Sequence, residues 1–153
     1  MITIGIELNY VLRDINKQII KYYSKEFDPS IDIDEIDATS DVLKDVCKFE
    51  SKHARNSFLY IDYPYEIFGC ANTAEKKLST KMTSWLSEIE NIEDEDIRIV
   101  FYSLNEEALT IQSTYFFLSK IGTRVRKVFF PKDISEIWSE CDIAVTANKD
   151  VVD

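Results

Sequence analysis

Four short apolar runs, at 2–8, 97–102, 125–130 and 143–145, alternate with stretches of helical repeat, and that alternation most constrains the fold. The runs are rich in Ile, Val, Phe and Tyr and are bounded by turn residues, as buried strands are. Between them the apolar spacing turns helical. Residues 11–23 carry Leu12, Ile15, Ile19, Tyr22 and Tyr23 as one stripe. Asn72 or Thr73 can cap a helix reaching Ile89, with Leu78, Met82, Trp85 and Leu86 on one face. A third helix is expected over 106–121, stopped by Gly122, and a short one over 133–139. The last eight residues read as a short helical turn or a frayed end. Strands separated by helices predict a four-stranded, mostly parallel sheet with helices on both faces, a three-layer α/β fold.

The stretch 24–71 interrupts that alternation. Asp28-Pro29-Ser30 is a breaker, and Thr39 or Ser40 can cap a helix reaching about Glu50, with Val42, Val46 and Phe49 buried. A short helix is expected over 52–59, then a loop with one helical turn in Asp62-Tyr63-Pro64-Tyr65-Glu66-Ile67-Phe68-Gly69. The expected organisation is an α/β core of 1–23 and 72–153 carrying a small helical insert, 24–71. Tyr60, Tyr63, Tyr65 and Phe68 are expected to pack within it. A chain of 153 residues, 45% hydrophobic, can bury one core of this kind.

The formal net charge is −10, from 28 acidic and 18 basic residues. A field of that sign repels nucleic acid and anionic membrane surfaces, so neither is expected as a partner. Cys47, Cys70 and Cys141 are scattered and His53 is the single histidine, which excludes an ordinary zinc site. No leader pattern or membrane-length apolar run is visible, and scattered thiols suit a reducing compartment. A cytoplasmic protein is expected.

In open α/β sheets ligands meet the carboxyl ends of the strands. Glu7, Asn9, Ser103, Asn105, Lys132, Thr146, Ala147 and Asn148 all fall at or just beyond those ends. The first strand and its exit, Thr3-Ile4-Gly5-Ile6-Glu7-Leu8-Asn9 followed by Tyr10-Val11-Leu12-Arg13-Asp14, resembles the opening motif Asp-x-Asp-Gly-x-Leu/Val of the haloacid-dehalogenase-like phosphohydrolases. The resemblance covers 2–23 and 97–150, and is nearest to small deoxyribonucleotidase-like members with a short helical cap between the first two motifs. It implies a central first strand, the second and third to one side and the fourth to the other.

It also implies roles. Glu7 falls at the nucleophile position and Asn9 at the acid/base position. Ser103 matches the phosphate-binding hydroxyl, with Asn105 beside it. Lys132 matches the conserved lysine, with Lys127 as the alternative. Magnesium would be held by Glu7 and the Asn9 carbonyl with a late aspartate. Thr146, Ala147 and Asn148 stand where that acidic motif belongs, Asp142 starts its strand at the far end, and Asp150 would need an unusual turn to reach back.

The departures fall on the chemistry. Glutamate displaces an attacking oxygen by about 1 Å, and such errors can cost roughly a hundredfold. An amide at position 9 hydrogen-bonds but does not cycle a proton. The sequence therefore predicts a catalytically degenerate member that binds a partner protein or a small phosphorylated ligand, without a cofactor. The alternative is a weak magnesium-dependent nucleotide or phosphate-monoester phosphatase.

Overall fold

The structure is a computed structural model that describes residues 1–36, 41–74, 87–88, 91, 96–124 and 127–152. Its strands are β1 (Ile2–Glu7), β2 (Arg13–Asp14), β3 (Asn72–Thr73), β4 (Ile97–Tyr102), β5 (Val128–Phe129) and β6 (Ile143–Val145). The helices are α1 (Ile15–Glu26), α2 (Val42–Asp45), α3 (Lys52–Ser57), α4 (Ala108–Ile121), α5 (Ile134–Glu140) and α6 (Lys149–Val152). Among the described residues no helix is long and apolar enough to cross a membrane.

Four strands form a parallel sheet in the order β5-β4-β1-β6, which is the expected arrangement. β1 lies beside β4 over its whole length, Ile2 opposite Ile97 and Glu7 opposite Tyr102. Alternation then sorts side chains to two faces. Ile6, Leu8, Ile99 and Phe101 share one buried cluster with Phe117 and Leu118 of α4. Tyr102, with Ala144 and Phe129 beside it, packs on the other face with Ile137 of α5 and Val151 of α6. Fully burying one such side chain contributes about 1.5–3 kcal/mol. Gly5 permits a close approach on this second face, since a Cβ there would stand 2.5 Å from Cys141 Sγ.

The first helix begins later than the stripe over 11–23 predicts. After β1 the chain turns tightly, with the N–H groups of Leu12 and Arg13 both donating to the Leu8 carbonyl, at 3.0 and 2.8 Å. Tyr10 takes the left-handed conformation, φ 67°. Arg13 and Asp14 form β2, and Asp14 caps α1 by accepting from the Lys17 N–H. The physical reason is that the stripe serves two cores. Leu12 packs under the sheet, whereas Ile15, Ile19, Ile20 and Tyr23 pack with the insert residues Val42, Cys47, Phe58, Leu59, Ile67 and Phe68.

Within the insert, Ser51 caps α3 through a bond from Ala54 N–H, 3.0 Å. Two wider π turns follow, Phe58–Asp62 and Tyr65–Gly69, each closed by an i→i+5 bond such as Cys70 N–H to Tyr65 carbonyl, 2.9 Å. The predicted helix over 42–50 is a single turn, α2. Its expected caps, Thr39 and Ser40, lie outside the described residues, as does Val125 at the start of the third predicted strand. Asn72 and Thr73 are not helix caps. They form β3, paired antiparallel with β2, Asp14 opposite Asn72, so one ribbon closes the segment 15–71, which takes in α1 as well as the stretch 24–71. Leu78, Met82, Trp85 and Leu86 of the helix predicted after them lie outside the described residues. α4 ends where expected, at Gly122 with φ 71°, and Asp133 caps α5 by accepting from Glu136 N–H.

Candidate functional site

Arg13 dominates the carboxyl ends of β1 and β4. The turn after β1 points its side chain inward, where it is 0% exposed. A buried guanidinium requires partners for all its donors. Nε and Nη2 both donate to Asn9 Oδ1, at 3.0 and 2.7 Å. Nη1 donates to Thr114 Oγ1 at 2.6 Å and to the Phe68 carbonyl at 2.9 Å. Nη2 also meets Glu106 Oε1 in a buried ion pair, 2.6 Å, and Ser103 Oγ at 3.3 Å. The rings of Phe68 and Phe117 lie 5.3 and 5.4 Å from the guanidinium carbon. Burial pulls Arg13 below its usual pKa, and the adjacent Glu106 carboxylate counteracts this.

This network uses up Ser103. Its one hydroxyl hydrogen goes to Glu106 Oε1, 2.6 Å away. Its oxygen accepts from Asn9 Nδ2 and Arg13 Nη2, each at 3.3 Å. A serine hydroxyl has one hydrogen, and that one is engaged; the Nη2 contact at 3.3 Å is the longest of three on a nitrogen with two hydrogens. Thr114 completes the ring by donating to the Glu106 carboxylate, 2.7 Å to Oε2.

Glu7 lies in a different setting. It is buried at the end of β1, its carboxylate accepts from the Thr146 hydroxyl, and the backbone N–H groups of Ala147 and Asn148 lie near enough to act on its titration, the latter donating to Thr146 Oγ1 at 2.9 Å. The loop after β6 thus wraps the carboxylate. Burial raises its pKa above the ordinary 4.5, and those three groups partly offset the rise. Tyr10, beside this turn, is pushed up to about 12, mainly by burial and further by Asp41, Glu7 and Asp14. On the outer side of the loop lies an open hollow of about 240 Å³, lined by Thr146, Ala147, Asn148, Lys149 and Val152.

The residues expected at a site are thus distributed unevenly. Asn9 and Ser103 meet around Arg13, and Glu7 meets Thr146, Ala147 and Asn148. Asn105 is exposed with φ 61°, and its N–H ties the β4 exit to the Pro131 carbonyl, 3.0 Å. Lys132 is exposed, and its backbone N–H donates to Glu136 Oε2, 3.0 Å. Lys127 pairs with Glu140 in an exposed ion pair. Asp142 lies at the opposite end of β1, exchanging bonds with the Thr3 backbone, 2.8 and 2.9 Å. The Asp150 N–H donates to Asn148 Oδ1, 3.0 Å, within the exposed turn.

Arg13, Glu106, Thr114 and Phe68 are what sequence reasoning misses. Arg13 stands in the quoted motif, but nothing in the order of residues marks it as buried or pairs it with Glu106.

Magnesium prefers several hard oxygen ligands, carboxylates among them. Glu7 instead accepts from the Thr146 hydroxyl, and Thr146, Ala147 and Asn148 bring no carboxylate to the place of the late aspartate. Among the described residues no cluster of three or more His, Cys, Asp or Glu side chains could hold a metal ion. This donor set does not fit magnesium. Comparison of the chain with protein-family models, curated proteins and solved structures finds no match.

Proposed function

We propose that this chain is a haloacid-dehalogenase-like protein that has lost phosphate hydrolysis and acts by binding a partner protein, in preference to a small phosphorylated ligand held at Ser103. The observation that carries the reading is the engaged hydroxyl hydrogen of Ser103. A phosphoryl oxygen only accepts hydrogen bonds, and the Ser103 hydrogen is committed to Glu106. Two further observations support it. An internal guanidinium holds Asn9, and the Thr146 hydroxyl stands beside Glu7 in place of a carboxylate ligand. The parallel sheet with its strand order, and an insert placed between the first two sheet strands, agree with the family resemblance. Retaining the fold while losing the chemistry is compatible with a binding role, because function resides in sites rather than folds. The three free thiols suit a cytoplasmic setting.

The test is turnover of p-nitrophenyl phosphate and nucleoside monophosphates with magnesium, beside a Glu7→Ala variant. The expected result is no hydrolysis above the variant, and no calorimetric signal for magnesium with vanadate. Turnover that disappears in Glu7→Ala would overturn the proposal and establish a weak magnesium-dependent phosphatase.

A further inference from the structure

Four consecutive carbonyls at the end of the second π turn each accept from a side chain of another element. Phe68 accepts from Arg13 Nη1, 2.9 Å, just after the turn that follows β1. Gly69 and Ala71 accept from Lys120 Nζ of α4, at 3.3 and 2.7 Å. Cys70 accepts from Gln18 Nε2 of α1, 2.8 Å. The last carbonyls of a helical turn have no partner within it, and cations suit that end. The same segment lies flat on α4. A Cβ at Gly69 would stand 3.2 Å from the Ser113 carbonyl oxygen, a tight contact that a larger residue would relieve only by shifting α4 a few tenths of an ångström. Beside it the rings of Tyr65 and Phe116 are 5.2 Å apart.

We infer that Arg13, Lys120 and Gln18 form a strap that holds the insert permanently shut on α4, so that 65–71 opens only when the sheet itself opens. The contacts come from three elements, and a hinged cap would have to break them together while baring the Arg13 guanidinium. Residues 65–71 are therefore part of the core's cooperative unit rather than a swinging lid. The inference is independent of whether hydrolysis survives, because a shut insert is compatible with either answer.

Segment-resolved amide hydrogen exchange on the full chain tests it. The reporters are Ile67 and Cys70 N–H, bonded to the Tyr63 and Tyr65 carbonyls, against Phe101 N–H, bonded to the Lys127 carbonyl. In the wild type, protection of 65–71 is expected to match that of 97–102 within about tenfold, as one cooperative unit requires. Lys120→Met and, separately, Gln18→Leu are expected to speed exchange in 65–71 and in 97–102 alike, by about tenfold, because one opening exposes both. Wild-type exchange in 65–71 more than about tenfold faster than in the sheet would overturn the strap. So would an unchanged 65–71 in both variants.

Discussion

Replacing Glu106 with glutamine isolates the charge in the buried network while keeping its shape. Glu106 Oε1 receives Arg13 Nη2 at 2.6 Å and Ser103 Oγ at 2.6 Å, and the Thr114 hydroxyl shares its one hydrogen between the two oxygens, at 2.8 and 2.7 Å. The Glu106→Gln variant leaves a fully buried guanidinium with no anionic partner among the described residues that contact it, and puts an amide NH2 among groups that donate. Breaking a buried pair in this way costs about 3–5 kcal/mol, because the remaining charge is uncompensated. For a domain of this size each kcal/mol shifts Tm by about 2–4 °C, so the expected fall is about 6–20 °C. Urea unfolding and a thermal melt followed by circular dichroism measure both quantities. The double variant Arg13→Met/Glu106→Gln removes the orphaned charge with its partner, and is expected to recover much of the loss. A loss below about 1 kcal/mol in Glu106→Gln would refute the reasoning, as would a double variant less stable than either single one.

Gly5→Ala inserts a methyl group 2.5 Å from Cys141 Sγ and is expected to cost about 1–3 kcal/mol in urea unfolding. Cys141→Ala in the same chain should return part of that loss. The Glu7 pKa is raised on folding, so the folded state holds its proton longer and Glu7 adds stability below the unfolded value of 4.5. That contribution is lost as pH rises through the folded pKa. The stability of the wild type minus that of Glu7→Gln should therefore fall as pH rises from 4.5 and then level off, and a flat or rising difference would contradict the burial argument. Ser51→Ala removes the α3 cap and is expected to cost about 0.5–2 kcal/mol by thermal melt, with Ser51→Gly milder.

The sheet was legible because its strands are short β-branched runs bounded by turns, and because Pro131 and Gly122 punctuate the chain where it turns. Asp133 at the start of α5 is likewise a cap visible in the residues themselves. The start of α1 was not legible. Leu12 and Ile15 are three apart and belong to one apparent stripe, yet they pack in different cores. Periodicity records that residues are buried but not against what. The neighbours at the strand ends were legible, and the bonds that join them were not. Asn9 and Ser103 do meet, as strand ends of adjacent parallel strands must. The group that joins them is a pair whose members are separated by 93 positions, Arg13 and Glu106. Local patterns do not signal such a pair, since most arginines and glutamates are solvated. Glu7 shows the converse: its acidic identity suggested a reactive group, and burial under the 146–148 loop, with the Thr146 hydroxyl donating to it, ties its carboxyl into the fold.

The β2–β3 ribbon carries a consequence for how this chain can be cut and rejoined. Asp14 and Asn72 face each other, so the two ends of everything between them stand one strand spacing apart. By connectivity the segment 15–71, α1 included, is a detachable piece, and a short hairpin turn could close the gap it leaves. By solvation it is not, because Phe68 supplies both a ring and a carbonyl to the Arg13 guanidinium. Excision would open that cation to water and strip Lys120 of both carbonyls it holds. A shortened chain should therefore become a soluble, independent sheet domain only if Arg13 and Glu106 are exchanged for apolar residues in the same step.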